Sequence, residues 1–197
     1  LNMKYIVLFF LTKLFLVFYF PLFQASTCDV VPIVQWGGSA SRRKEKLKTP
    51  VDLVVVTHTV TSECYTDAEC ERLANVMRNT HMQMGFQDIS LSFLVGGNGK
   101  IYEGAGWKVG SHTIGFNEKS VSLSFIGDFR NKLPTKKALD AAQNFLGCFL
   151  NTRYLGCEYS LVGHRQLIPT ISPGDALQKH IQTWPHWTNT VPRVGRY

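Results

Sequence analysis

The sequence lacks internal repeats and low-complexity tracts, and it has few acidic residues and few cysteines. The absence of repeats excludes a solenoid or another repeat architecture. Aspartate and glutamate number 14 against 21 lysines and arginines, which gives a formal net charge of +7 at pH 7. Such a protein is attracted to polyanions and to bacterial envelopes, although charge alone does not choose between them. The five cysteines are an odd number, so complete pairing within one chain is excluded.

The N-terminal stretch without acidic residues, 1–25, is predicted to be a signal peptide. Lys4 gives it a positive start, and an apolar run from Tyr5 to Phe23 follows. The run is also about long enough for a membrane anchor, but Lys13 in its middle costs about 2.5–3.5 kcal/mol on insertion scales. We therefore favour cleavage and secretion, which removes two lysines, lowers the formal charge from +7 to +5 and leaves residues 26–197 as one domain.

The rest of the chain divides into three parts by composition. Residues 26–50 form an N-terminal segment that ends in a basic stretch, SRRKEKLKTP (41–50), with five cations and one anion. We interpret that stretch as a solvated loop rather than as a polyanion site. Residues 51–188 carry the candidate strands and helices, and the tail 189–197 has no periodicity and is expected to be loose.

Strands alternate with helices along residues 51–188, which is typical of an α/β sheet with helices packed on it. An apolar, β-branched strand is predicted over 53–57, and it ends at Thr57-His58-Thr59. In α/β proteins, ligands bind at the carboxyl ends of such buried strands. Further strands are predicted over 91–97, 101–104, 121–127 and 160–164.

Three helices are predicted from capping residues and apolar spacing. The first begins at a capping box of Thr66 and Glu69 and runs to about Met84. Its inner face is predicted to contain Leu73, Val76, Met77 and His81. A long second helix opens at Thr135, and the last is predicted to begin with Ser172 as its N-cap.

Three histidines stand at predicted strand ends or in loops that follow strands: His58, His112 and His164. A single histidine is more often a hydrogen-bonded core or surface residue than a ligand. Three of them at such positions are as compatible with a shared cleft as with separate structural roles.

Six blocks of the sequence resemble the peptidoglycan recognition protein family, in the family's order and over essentially the whole mature chain. They are VVVTHTVTSEC (54–64), SFLVGGNGKIYEGAGW (92–107), GSHTIGFN (110–117), VSLSFIGDF (121–129), GHRQLIPTISPG (163–174) and QTWPHW (182–187), preceded by VQWGG (34–38). The resemblance implies the fold of type 2 N-acetylmuramoyl-L-alanine amidases, a mixed β-sheet flanked by helices with a groove for the glycan and peptide of the cell wall. The single-domain secreted form is similar to the short recognition proteins of insects.

Catalytic members of this family are zinc amidases, and the resemblance places their two histidine ligands and one cysteine ligand on Thr57, His164 and Ser172. Their catalytic tyrosine falls on Leu91, and a supporting lysine or threonine falls on Thr170, which is retained. Hydroxyl groups must ionise to compete with imidazole or thiolate for zinc. The loss of one donor to a developing oxyanion costs roughly 2.7–4 kcal/mol. We therefore predict no zinc, no other cofactor and no amidase activity.

A groove without hydrolysis would act as a receptor for muropeptide. His58 is not expected to replace the missing ligand, since neighbouring strand residues point to opposite faces. Arg165 has a structural salt bridge as its alternative role, Trp107 has core packing, and His81 has a buried hydrogen-bonded position. Arg130 is a candidate for clamping the extra carboxylate of diaminopimelate-type stems. By family position, the ligand-binding residues are Thr57, His58, His81, Trp107, His112, Thr113, Phe116, Asn117, His164, Arg165 and Thr170.

The resemblance also implies two disulfides, Cys64–Cys70 beside the groove and Cys28–Cys148 between the N-terminal segment and the long helix. Cys64 and Cys70 are also the easiest pair to bridge on sequence distance alone. Cys157 is then left over, and we prefer burial as a small hydrophobe to a link between chains.

The leading hypothesis is a secreted pattern-recognition receptor that binds bacterial peptidoglycan and triggers Toll-type innate immune signalling without hydrolysis. The resemblance implies other secreted recognition proteins or serine proteases as partners, and no nucleic acid. One alternative is a zinc-dependent amidase with an altered site, which would carry stoichiometric zinc. The other is a cationic antibacterial protein, whose binding would depend strongly on salt and little on peptidoglycan type.

Overall fold

A computed structural model describes residues 28–190, which build one six-stranded mixed sheet covered on both faces. The strands are β1 (Val30–Val31), β2 (Val51–His58), β3 (Phe93–Val95), β4 (Ile101–Glu103), β5 (Ser120–Phe125) and β6 (Leu155–Gly163). The helices are α1 (Ile33–Gly37), α2 (Asp67–Gln83), α3 (Lys136–Asn151) and α4 (Asp175–Ile181). The sheet order is β1-β4-β3-β5-β2-β6, with β3 and β4 antiparallel and the other neighbours parallel. The predicted mixed α/β class is confirmed.

Two parts of the sequence-based division lie outside the described residues, the predicted signal peptide and the tail from 191 to 197. Within residues 28–190, no helix is both long enough and apolar enough to span a membrane.

Strand β2 lies between β5 and the edge strand β6, with a parallel neighbour on each side and every residue buried except Asp52. Because side chains alternate along a strand, Leu53, Val55 and Thr57 point to one face, called here the front face. Val54, Val56 and His58 point to the other, the back face. At the carboxyl end of β2, the front face therefore carries the hydroxyl of Thr57 and the back face carries the imidazole of His58.

The back face is covered by α3, which begins after Thr135 as predicted, with the Thr135 hydroxyl accepting from the Ala138 N–H. Phe145 and Phe149 of α3 pack on Phe93 of β3, with ring centroids 4.7 and 6.1 Å apart. Trp107 joins this cluster at 4.9 Å from the Phe149 ring. Together with Val54 and Val56, these side chains form the main core.

On the front face, α1 and α2 cover the β4–β3 half of the sheet, and a buried ion pair lies between α2 and the loop before β3. The Arg78 guanidinium donates to both oxygens of Asp88 at 2.8 and 3.0 Å, and to the backbone carbonyls of Gly37 and Ser39. Burial raises the pKa of Asp88, but the bonds from Arg78 and from the backbone N–H groups of Arg42 and Ile89 outweigh it and keep the pKa below its ordinary value. The pair fixes the N-terminal segment to α2 and to the loop before β3.

Two helix predictions need correction. In α2 the predicted capping box of Thr66 and Glu69 is present. Val76, however, is 49% exposed and not on the inner face. The inner face is instead the one that carries Ala74 and the buried Arg78. Helix α4 begins at Asp175 with no side-chain cap, because the Ser172 hydroxyl is used elsewhere.

Both implied disulfides are present, with Cα–Cα distances of 5.7 Å for Cys28–Cys148 and 5.1 Å for Cys64–Cys70. The expected burial of Cys157 is wrong, since this free cysteine is exposed. It lies in a bulge of β6, where the register shifts and residues 156–159 stand against Asp52 alone. The extra residues turn Cys157 away from the core.

We predict that Asp88→Asn lowers the free energy of unfolding by about 3–5 kcal/mol, because Arg78 would keep a buried charge without its partner. Urea unfolding of the protein with intact disulfides measures this. Lys136→Ala, which removes an exposed ion pair with Asp140, is the matched control and should change little. A loss below about 1 kcal/mol for Asp88→Asn would show that the pair does not hold the segment.

Candidate functional site

Three parallel strands, β5, β2 and β6, bring their carboxyl ends to one edge of the sheet, and a ladder of hydroxyl groups lies there on the front face. Thr57 donates to the Ser124 hydroxyl at 2.8 Å, and Ser124 donates to Ser122 at 3.3 Å. The Ser122 oxygen also accepts from the Ser92 N–H at 2.8 Å. Sequence reasoning missed this ladder, although the alternation of serines in β5 (SVSLSF) was its signal.

The loop after β6 closes this edge through Ser172. Its hydroxyl accepts from the backbone N–H of His58 at 3.1 Å, which satisfies the last donor of β2. Its own N–H donates to the Thr170 hydroxyl at 3.2 Å. Gly174, two residues after Ser172, has a φ of +94°, and a Cβ there would stand 2.3 Å from the carbonyl of Phe129. Only glycine lets the loop approach that backbone so closely.

His164 begins a single 3₁₀ turn (His164–Gln166) directly after β6, and it is half-buried at this edge. Its ring bonds to the backbone of His112, while Nε2 is buried without a hydrogen-bond partner among residues 28–190. Burial lowers the pKa of His164, and the bond to His112 offsets this only in part. The imidazole is therefore neutral at pH 7.

His112 is also buried at this edge, in the loop between β4 and β5. Burial lowers the pKa of His112 to about 4, against a smaller opposing effect of the Ser120 carbonyl. The neutral ring donates from Nε2 to that carbonyl at 3.4 Å and accepts at Nδ1 from the Thr113 hydroxyl at 3.0 Å. Asn117 accepts from the Thr113 N–H at 2.8 Å and holds the loop folded.

Apolar side chains flank the polar edge. Phe116 and Leu167 pack on the front-face cluster of Leu53, Val55 and Val162. Two isoleucines in the loops around the site are exposed, Ile114 at 86% and Ile171 at 53%. Sequence reasoning missed both, because a single apolar residue in a loop carries no periodic signal.

Two residues predicted to bind ligand lie on the back face instead. The His58 side chain is fully buried there, with Nδ1 accepting from the Phe129 N–H at 3.1 Å and burial lowering its pKa. Trp107 stacks in the main core, 4.8 Å from the Tyr154 ring. Strand alternation and core packing therefore remove both from the site.

Three more predicted residues are held by other protein groups. Arg165 pairs with Asp175 and donates to the Ile171 carbonyl, its alternative structural role. His81 accepts at Nδ1 from the Ser90 N–H at 3.1 Å, and burial lowers its pKa. The Arg130 guanidinium is bound by Asp128. The residues that the structure brings to the front-face edge are Thr57, His112, Thr113, Phe116, Asn117, His164 and Thr170.

The site does not fit zinc. The hydroxyls of Thr57 and Ser172 are engaged in hydrogen bonds with Ser124 and His58, and Leu91 packs against the α1–α2 cluster. Among residues 28–190, no three His, Cys, Asp or Glu side chains converge as a metal site. Of the two imidazoles at this edge, His112 has both ring nitrogens hydrogen-bonded, which leaves only Nε2 of His164 for a metal.

Comparisons with known proteins agree with this architecture. The family model described as N-acetylmuramoyl-L-alanine amidase matches residues 47–175. A peptidoglycan recognition protein of Trichoplusia ni is 44% identical over 176 residues, which are 88% of this chain and 97% of the relative. The structure of bumblebee PGRP-SA superposes with a TM-score of 0.80 at 39% identity, over 82% of this chain and 98% of that chain. Peptidoglycan recognition protein LE, solved in complex with tracheal cytotoxin, superposes with a TM-score of 0.75 at 38% identity, over 82% and 96%. The chain therefore belongs to the peptidoglycan recognition protein family.

Proposed function

We propose that this protein is a secreted receptor that binds bacterial peptidoglycan at the front-face edge of β5, β2 and β6 and does not hydrolyse it. One observation carries the second part. The hydroxyls of Thr57 and Ser172, which the family resemblance assigns to zinc-ligand positions, are each hydrogen-bonded within the protein. Unionised hydroxyls bind zinc too weakly to complete a site with one histidine.

The chemistry of the edge suits a muropeptide, which offers sugar hydroxyls and peptide amides. The neutral ring of His164, whose Nε2 has no hydrogen-bond partner among residues 28–190, offers a polar atom without a net charge, and Thr170 and Asn117 add a hydroxyl and an amide. Both ring nitrogens of His112 are bonded within the protein, so this residue shapes the edge. Recognition of such ligands needs a few placed polar groups on a largely preformed, partly apolar surface. The related peptidoglycan recognition protein LE supports a muropeptide as the ligand, since the tracheal cytotoxin bound to it is a monomeric diaminopimelic acid-type peptidoglycan.

Two parts of the proposal concern partners and the stem peptide. Bound peptidoglycan would be presented to other secreted recognition proteins or serine proteases of an immune cascade, as the family resemblance implies. Arg130 would have to give up Asp128 before it clamped a ligand carboxylate, so we assign no stem preference to it.

We predict that mature protein, incubated with insoluble peptidoglycan of both stem types and added zinc, sediments with the polymer and releases no stem peptide. Mass spectra of the soluble fraction and the protein content of the pellet measure this. Free stem peptides, cut at the lactyl–alanine amide, would show that the protein is an amidase. Protein that stays soluble with both polymers would contradict the receptor.

The lost metal site gives a second prediction. A Thr57→His/Leu91→Tyr/Ser172→Cys variant should bind zinc stoichiometrically, because His164 would then complete three good ligands around one open position. Metal analysis after dialysis measures this, with the same variant carrying His164→Ala as the control. Stoichiometric zinc in the unmodified protein would contradict the assignment of Thr57 and Ser172.

Ile114 tests the position of the binding surface. Ile114→Glu should weaken binding to peptidoglycan by about tenfold or more, because it places a charge on the apolar edge of the site, and its exposure leaves stability unchanged. Leu133→Glu, an exposed apolar residue just before α3, is the matched control. Equal binding by both variants would place the ligand elsewhere.

The buried His112 predicts a pH dependence of stability. Its folded-state pKa of about 4 lies below the unfolded value of 6.5, so its contribution is fully present above pH 6.5 and is lost as the pH falls toward 4. Over that range the loss amounts to about 3 kcal/mol. His112→Gln should therefore flatten the decline in unfolding free energy between pH 6.5 and 4, measured relative to each protein's own value at pH 7.5. An unchanged slope would contradict the burial of a neutral ring.

A further inference from the structure

The basic stretch 41–50 is a largely exposed loop, as its composition suggests, but two of its residues are buried and anchor it. Arg43 is buried, and its guanidinium donates to the carbonyls of Ile89 and Val109 at 3.0 and 3.1 Å and to the Ser111 hydroxyl at 3.1 Å. Leu47 is buried in the main core. These two anchors fix the segment on the fold and leave its remaining cations on a defined surface.

The segment pairs with the chain after β4 in a way that brings two lysines together. The Leu47 N–H donates to the Trp107 carbonyl at 3.0 Å, and the Val109 N–H donates to the Glu45 carbonyl at 2.9 Å. Lys46 and Lys108 stand opposite each other between these two bonds. They form a non-hydrogen-bonded antiparallel pair, since neither residue donates to or accepts from the backbone of the other. In such a pair the Cα atoms are only about 4.5 Å apart and the side chains lie on the same face.

Two more lysines extend this face. Since side chains alternate along an extended segment, Lys44 and Lys48 lie on the same side as Lys46, spaced by about 6.5–7 Å, and Glu45 falls on the other side. We call Lys44, Lys46, Lys48 and Lys108 the lysine strip. Within the part of the chain that the structure describes, none of the four has an ion-pair or hydrogen-bond partner for its ammonium group. Like charges directly across a bridge are destabilising, and an anionic ligand would reverse that effect.

The strip is joined to the candidate site by Arg43, which also bonds Ser111, the neighbour of His112. A polymer that carries both peptidoglycan and regularly spaced negative charge would therefore reach both surfaces. Ammonium groups bind phosphate as point charges. Single-stranded nucleic acid is disfavoured because it requires aromatic platforms. The aromatic residues beside the strip, Trp107 and Tyr154, have their rings packed against each other at 4.8 Å, and Trp107 packs on the main core.

We propose that the lysine strip binds the phosphodiester groups of a polyol phosphate chain attached to the cell-wall glycan, next to the muropeptide at the front-face edge. The inference rests on the proposed function for the glycan, but it adds a second ligand class and a second surface. Affinity for the phosphate chain should fall with salt in proportion to the number of phosphates that the strip contacts.

The test compares two variants that each remove two positive charges. Lys46→Gln/Lys108→Gln alters the strip, and Lys137→Gln/Lys179→Gln alters exposed lysines of α3 and α4. The probe is soluble poly(glycerol phosphate), titrated at several salt concentrations. We expect the strip variant to bind at least tenfold more weakly and to lose about one unit of the salt slope for each lysine. Its melting temperature should be unchanged or higher, since a like-charge pair is relieved. Equal losses in both variants would overturn the proposal.

Two further arms separate the possible failures. Peptidoglycan stripped of its phosphate polymers should bind the wild type and the strip variant equally, since it needs only the front-face edge. If the wild type fails to bind this material, the proposed function fails, whatever the phosphate probe shows. Single-stranded DNA of equal charge is the third arm. DNA binding as tight as that of poly(glycerol phosphate), with the same loss in the strip variant, would overturn the choice of occupant.

Discussion

The burial of β2 on both faces and along both edges is the constraint on which the rest of this structure depends. A strand with parallel neighbours on each side cannot slip by one residue without moving its whole apolar set to the wrong face. The register therefore fixes Thr57 on the front and His58 on the back. Only every second side chain of such a strand points toward a site on one face. For this reason the adjacent residues Thr57 and His58 have unrelated roles.

The same constraint gives two hydroxyl groups at this edge a structural role. Thr57 continues a hydroxyl ladder that includes Ser124 and Ser122, and Ser172 satisfies the last backbone donor of β2. Both hydroxyls are therefore engaged within the protein. Neutral His112 and His164 remain beside them, so the edge keeps its polarity and its shape.

The sequence predicted much of the fold because its local signals agreed with one another. The apolar run of β2, the capping box of Thr66 and Glu69 and the inner face of α3 all correspond to observed elements. The predictions failed where a tertiary contact overrode a local preference. Arg78 turned α2 toward Asp88 and the Gly37 carbonyl, and the Ser172 hydroxyl bonded to β2 instead of capping α4. The bonds to Gly37 and from His58 to Ser172 span 41 and 114 residues, and no periodic pattern records them.

The Cys28–Cys148 bridge joins the start of the described chain to α3 across 120 residues. Between Cys28 and β2 the chain runs as α1 and the basic segment, and lysines and arginines are the cleavage points of trypsin-like proteases. A cut at any of them would leave the fragment attached to α3 through the disulfide, to α2 through Arg78 and to the sheet through β1, which pairs with β4. The fold would thus keep this segment in place after a nick.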